Sequence, residues 1–138
     1  MSDWNDKIIA EFREHDGKVG GPFDGAHLLL LTTTGAKSGQ PRVAPMMYFQ
    51  EPDGIYVVAS KAGAPENPAW YHNLLAHPAV GVEQATDHGI ETYEATAAPV
   101  ESAKRDALFA KIAASNPGFG QYQEKTDRII PIVAITRR

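Results

Sequence analysis

Hydrophobic positions change period several times along the chain. Trp4, Ile8, Ile9 and Phe12 recur at helical spacing, which predicts a helix from Trp4 to about Glu14. Gly17–Gly25 holds four glycines and a proline and reads as a loop. His27–Thr34 is β-prone, and Thr34–Gly39 (TGAKSG) is a turn. Arg42–Gln50 is the next strand, where Pro45 implies an edge or a bulge. The EPDG turn at Glu51–Gly54 and the apolar run Ile55–Ser60 complete a hairpin. After a loop at Lys61–Glu66, Asn67 and Pro68 suit a capped helix start, with the helix running to about His77. Val80 and Val82 mark one more strand, and Ile90–Ala98 another. Val100, Ala103, Ala107, Leu108 and Ile112 return to helical spacing. Asn116–Gly120 breaks that helix, a short helical turn holds Tyr122, and Ile129–Ile135 is a final strand containing Pro131.

This is about six strands and three or four helices. Strands joined by turns, without regular alternation with helices, imply an α+β fold with an antiparallel sheet. A small Greek-key barrel is the closure that removes sheet edges at this size. The expected organisation is one domain, 1–138, with the helix at about 4–14 preceding the barrel.

Composition narrows the function. A net charge of -4 supplies no global basic field for nucleic acid, so any anion site must be local. Without cysteine there is no disulfide, thiolate metal site or cysteine nucleophile. The longest apolar run, Leu28–Leu31, is far short of a membrane span, and no secretion signal is expected. The first helix carries Asp3, Asp6, Glu11 and Glu14, which anionic lipid repels, so packing on the barrel is the expected role of its apolar face. No histidine pair has metal-binding helical spacing, and no metal is expected. The Gly-x-Ser-x-Gly elbow of hydrolases and the Gly-x-Gly-x-x-Gly dinucleotide fingerprint are both absent.

Three segments concentrate chemistry. Thr32–Arg42 places hydroxyls, two glycines, Lys37 and Arg42 between strands. Such a turn can form a concave anion site, or be only a solvated hairpin turn. It is not a P-loop, since Ala36 precedes the lysine and Leu31 stands where the first glycine belongs. Ala59–Asn73 runs from a strand end through small residues into a helix opening with Trp70 and Tyr71. Small residues let a flat ligand approach the backbone, while Trp70 and Leu74, four apart, also suit a core. Asn116–Tyr122 has two glycines and two aromatics, in keeping with either a mobile lid or a connection whose aromatics plug the barrel end.

In order and spacing these segments resemble the deazaflavin-dependent nitroreductase family. The similarity runs from about His27 to Arg138. It is carried by Leu31–Gly35 with Lys37-Ser38-Gly39 and Arg42, and by Ala59-Ser60-Lys61 with Gly63. Asn67-Pro68 with Trp70-Tyr71 and Asn73-Leu74 adds to it, as does Tyr122-Gln123 with Thr126-Asp127-Arg128 and Ile130–Val133. The resemblance implies a split β-barrel like that of FMN-binding proteins, and coenzyme F420 as cofactor, reduced as hydride donor. Cofactor contacts would come from Lys37, Ser38, Arg42, Pro45, Met46, Ala59, Ser60, Lys61, Ala62, Gly63, Asn67, Pro68, Trp70 and Asn73. The implied reaction is hydride transfer from C5 of the ring to a conjugated electrophile: a quinone, an α,β-unsaturated lactone or ester, or a nitro-heterocycle. Tyr122 and Ser60 are the expected catalytic residues for orientation or proton relay, and Met47, Phe119 and Tyr122 the expected substrate contacts.

The chain departs from nitroreducing members, whose Tyr-Pro-x-Tyr-x-x-Tyr stretch becomes Asn116, Phe119 and Tyr122 here; Met47 also replaces a tyrosine of some members. An acceptor pocket with fewer hydroxyl donors, suited to apolar unsaturated substrates, is the consequence. The expected setting is cytoplasmic, monomer or homodimer, with peripheral contact at the inner membrane face left open. Rival readings are an FMN-dependent oxidoreductase on the same barrel, a non-catalytic carrier of F420, lipid or tetrapyrrole, and an interaction module with a plugged barrel.

Overall fold

The computed structural model describes residues 3–20 and 27–138. The expected loop at Gly17–Gly25 is therefore described only to Gly20, and the side chains of Asp3, Trp4 and Ala62 also lie outside the description. Four α-helices are described: α1 (Asp3–Glu14), α2 (Ala69–Ala76), α3 (Ser102–Ser115) and α4 (Pro117–Glu124). Seven strands form one antiparallel sheet: β1 (Leu28–Thr34), β2 (Pro41–Met47), β3 (Phe49–Glu51), β4 (Gly54–Val58), β5 (Ala79–Thr86), β6 (Gly89–Pro99) and β7 (Ile132–Arg137).

The order across the sheet is β2-β1-β5-β6-β7-β4-β3, so its two edges are consecutive in the chain. The strand expected over Arg42–Gln50 is thus two strands, divided at Tyr48. Its first part pairs with β1 and its second with β4. Tyr48 makes the corner: its N–H donates to His27 O at 3.0 Å, and its hydroxyl donates to Ala85 O at 2.7 Å. One bent strand at both edges curls the sheet into a barrel, and counting it once gives the six strands expected. Pro45 lies on the outermost strand, where a missing N–H removes no ladder bond.

Burial follows the period-two rule. Leu29 and Leu31 point into the barrel with Val57, Val82, Ala97, Val133 and Ile135. Leu28 and Leu30 point outward and are covered by Ile8 and Phe12 of α1. A strand covered on both faces needs apolar residues at consecutive positions, which is why Leu28–Leu31 does not alternate. β4 behaves likewise, with Tyr56 and Val58 lying under Leu108, Phe109 and Ile112 of α3. Glu101 starts α3, its carboxylate accepting from Ala103 N and Lys104 N at 3.2 and 2.9 Å.

Three local expectations are corrected. The helix does break at Asn116, as expected, but the residues after it are helical and not a glycine-rich loop: Pro117 opens α4 at a position where its missing N–H is harmless. Asn67 does not cap α2: Pro68, which has no side-chain acceptor, holds that position, and the Asn67 amide oxygen accepts from Arg128. β7 starts at Ile132, so Pro131 precedes the strand instead of lying inside it.

Candidate functional site

A cavity of about 1150 Å³ opens between the β1–β2 turn, the bent edge strand, the segment after β4, α2 and α4. β2 lines it from Arg42 to Met47, and no β2 residue is fully buried because the strand borders open space.

The turn Gly35–Gln40 forms one end. Gly35 N–H donates to Gln40 O at 2.8 Å, Gly39 N–H to Gly35 O at 2.9 Å, and Gln40 N–H to Ser38 Oγ at 3.2 Å. A Cβ on Gly35 would lie 2.4 Å from Ser38 Oγ, so a larger residue there would turn the serine out of its bond to Gln40 N–H. Ala36 N–H donates to Asn73 Oδ1 at 3.0 Å, and Asn73 Nδ2 donates to Thr33 Oγ1 at 3.1 Å. Asn73 and Thr33 are only 8% and 1% exposed, so this amide pins the turn to α2 from behind. Among the described residues, the amides of Lys37 and Ser38 have no hydrogen-bond partner. The side chains of Lys37 and Arg42 likewise have no carboxylate partner among them. Two amides and two cations therefore share one rim of the cavity.

The segment after β4 forms another wall. Lys61–Gly63 is a single 3-10 turn in which Lys61 and Gly63 take left-handed φ of 45° and 81°. Ser60 and Lys61 line the cavity. The carbonyls of Ala59 and Ser60 are turned onto Arg128, outside the cavity lining. In trans peptides the N–H groups of Ser60 and Lys61 then face away from Arg128, and they have no partner among the described residues. Lys61 pairs with Glu66 at 2.7 Å, which holds the Glu66 carboxyl below its ordinary value.

Pro68 and Trp70, with Pro45 and Met46, supply apolar wall. Trp70 also packs on the barrel core above Leu74, so core and pocket roles coincide in one side chain. Phe119 and Tyr122 of α4 close the remaining side in an edge-to-face ladder: Phe49 to Phe119 at 5.6 Å, Phe119 to Tyr122 at 5.8 Å. The hydroxyls of Tyr122 and Ser60 have no hydrogen-bond partner among the described residues. α4 is seated directly on the 3-10 turn, since a Cβ on Gly63 would lie 2.7 Å from Tyr122 O.

Most of the expected site residues thus border one cavity: Lys37, Ser38, Arg42, Pro45, Met46, Met47, Ser60, Lys61, Pro68, Trp70, Asn73, Phe119 and Tyr122. Three do not: Ala59 is wholly buried in the barrel, Gly63 packs under α4, and Asn67 accepts from Arg128 at 2.7 Å. The expected contact from Ala62 falls on a side chain outside the described residues. Asn5, Gly35, Ala36, Val43, Ala44, Val58, Ala69 and His72 line the cavity without having been expected as contacts. His72 and Asn5 were open to recognition: His72 precedes Asn73 on the same helix, and Asn5 is a polar position on an otherwise apolar-faced helix. Arg128 was legible only as part of a motif, because its bonds span more than sixty residues.

A family profile described as F420H(2)-dependent quinone reductase matches residues 4–137. An F420H(2)-dependent quinone reductase of Mycobacterium tuberculosis is 39% identical over 133 residues, covering 94% of this chain and 87% of that protein. A solved structure described as an F420-H2 dependent reductase is 37% identical with a TM-score of 0.65, covering 78% of this chain and 92% of that one. Another, described as a domain-swapped dimer, is 33% identical with a TM-score of 0.68, covering 96% and 97%. No helix among the described residues is long and apolar enough to cross a membrane.

Proposed function

Because the chain belongs to the F420H(2)-dependent quinone reductase family, a family of oxidoreductases, we propose that reduced coenzyme F420 meets its acceptor in this cavity and that the acceptor is a quinone. The observation that carries this reading is the division of one cavity into a cationic, amide-bearing rim and an apolar wall.

The residues fit the group. The cavity exceeds the roughly 300–1,000 Å³ of common small-molecule sites, as a tricyclic ring with a phosphate and an acidic tail requires. Lys37, Arg42 and the free amides of Lys37 and Ser38 suit the phosphate and tail, with Lys61 held nearby by Glu66. The unpartnered N–H groups of Ser60 and Lys61 suit ring oxygens, and Pro45, Met46, Pro68 and Trp70 suit a flat apolar face. Gly63 contributes by letting α4 approach, and Ala59 and Asn67 by holding Arg128.

When bound, the reduced ring supplies a hydride from its C5 position. The protein's part is to hold ring and acceptor in register and to exclude water with the Trp70 and Phe119–Tyr122 walls. A quinone also takes up a proton, and the hydroxyls of Tyr122 and Ser60, which both border the cavity, are the groups this reading assigns to its delivery. Met47 and Phe119 make the acceptor side largely apolar, which favours quinones and unsaturated lactones or esters over nitro-heterocycles.

Turnover of F420H2 with a soluble quinone, an unsaturated lactone and a nitroimidazole tests this reading. The quinone is expected to react fastest and the nitroimidazole slowest. Binding without turnover on any acceptor indicates a carrier, tight retention of FMN indicates a flavin enzyme, and efficient nitroimidazole reduction contradicts the acceptor assignment.

A further inference from the structure

Arg128 does not line the cavity, but its side chain holds the segment that does. Nε donates to Ala64 O at 2.9 Å, and Nη1 to Ala59 O at 3.2 Å and Asn67 Oδ1 at 2.7 Å. Nη2 donates to Ser60 O at 2.8 Å. All four acceptors are neutral, and burial lowers the pKa of this guanidinium while the charge of Glu66 raises it. The guanidinium is only partly removed from water, and its four hydrogen bonds fix the Ala59–Asn67 backbone in one conformation. That conformation includes the left-handed Lys61 and Gly63. A lysine at positive φ persists only where its surroundings over-determine it.

The backbone of Arg128 holds the adjoining wall, α4. Gln123, next to Tyr122, donates from Nε2 to Arg128 O at 2.7 Å. Its Oε1 accepts from Ile130 N–H at 3.0 Å and Arg105 Nη2 at 2.7 Å. One residue thus fastens both walls: its side chain the Ser60–Lys61 wall, its carbonyl α4.

We propose that Arg128 and Gln123 are the positioning pair of this site. The guanidinium presents Ser60 and Lys61 to the cofactor, and the Gln123 bond to Arg128 O sets Phe119 and Tyr122 against the acceptor. This rests on the cofactor reading above. A planar fork with donors in several directions is needed for four diverging acceptors, and lysine does not supply it.

The test uses the full chain with Arg128→Lys and Gln123→Glu, read by F420 fluorescence titration, acceptor KM and thermal unfolding. Arg128→Lys keeps the charge and loses the fork; it is expected to weaken F420 binding about tenfold at temperatures where it is fully folded. Gln123→Glu keeps both bonds to Oε1, one of them now an ion pair with Arg105, and replaces the donor to Arg128 O with a carboxylate oxygen that this carbonyl repels. It is expected to raise acceptor KM about threefold while moving F420 affinity less than twofold. Gln123→Glu carries the test if Arg128→Lys does not fold. Folded variants with wild-type F420 affinity and acceptor KM, and only a lower melting temperature, overturn the proposal. Absence of F420 binding by the unchanged protein sinks the cofactor reading, and this inference with it. Normal F420 binding by the unchanged protein and by folded Arg128→Lys, together with an unchanged acceptor KM in Gln123→Glu, sinks this inference alone.

Discussion

The Gly35–Gln40 turn and the Ser60–Asn67 segment both bring a lysine to the cavity, but they arrange charge in opposite ways. In the turn, Lys37 and nearby Arg42 have no carboxylate partner among the described residues, and the brace behind is the neutral amide of Asn73. In the segment, Lys61 is paired with Glu66, and the brace behind is the charged fork of Arg128. The first loop delivers positive charge on a neutral support, so it is suited to grip an anion. The second delivers shape on a charged support, so it is suited to present backbone to a flat ring.

The largest effect is expected behind the turn. Asn73→Leu leaves the Ala36 N–H and the Thr33 hydroxyl without their partner, costing about 3 kcal/mol, and should also weaken F420 binding. A denaturation midpoint unchanged in this variant would remove Asn73 as the brace. Behind the segment, Gly63→Ala meets both a positive φ and the Tyr122 carbonyl. A loss of about 2 kcal/mol is expected, with acceptor KM raised as α4 moves outward. If acceptor KM stays put while stability falls, α4 is not seated by this contact.

The charges themselves should matter less. Lys37→Ala and Arg42→Ala are each expected to weaken F420 binding about fivefold at low ionic strength, with the difference shrinking in high salt. A salt-independent loss would point to packing instead. The smallest effect belongs to Glu66→Gln, for which no measurable change in stability is expected because the pair is exposed. Lys61 holds the Glu66 carboxyl below its ordinary value of 4.5. The pair is therefore complete above that value and is lost as pH falls through the depressed one. Wild type should then gain anion affinity in acid as Lys61 is released, and Glu66→Gln should lack that gain.

The sequence made the barrel legible through period: apolar runs at Leu28–Leu31 and Ile55–Val58 mark strands covered on both faces. What it hid were features set by distant contacts. Tyr48 turns the edge strand because its hydroxyl reaches Ala85, thirty-seven residues on. The glycines at 118 and 120 looked like a loop, yet Gln123 is tied to Arg105, Arg128 and Ile130, and α4 forms against that anchor. The site was readable in outline, since its turn, small-residue segment and aromatics each carry local chemistry. The inward or outward sense of each residue was not. Asn67 and Asn73 are both expected as ligand contacts; Asn73 borders the cavity while its amide also holds the turn, whereas Asn67 does not border it and its amide holds Arg128.

The most direct test of the cationic turn as the cofactor grip is fluorescence titration of the intact protein with F420, alongside Lys37→Ala, at low and high salt. Saturable binding that weakens with salt, and more steeply for the intact protein than for the variant, is predicted. Absence of saturable binding, or binding indifferent to both salt and Lys37, would contradict it.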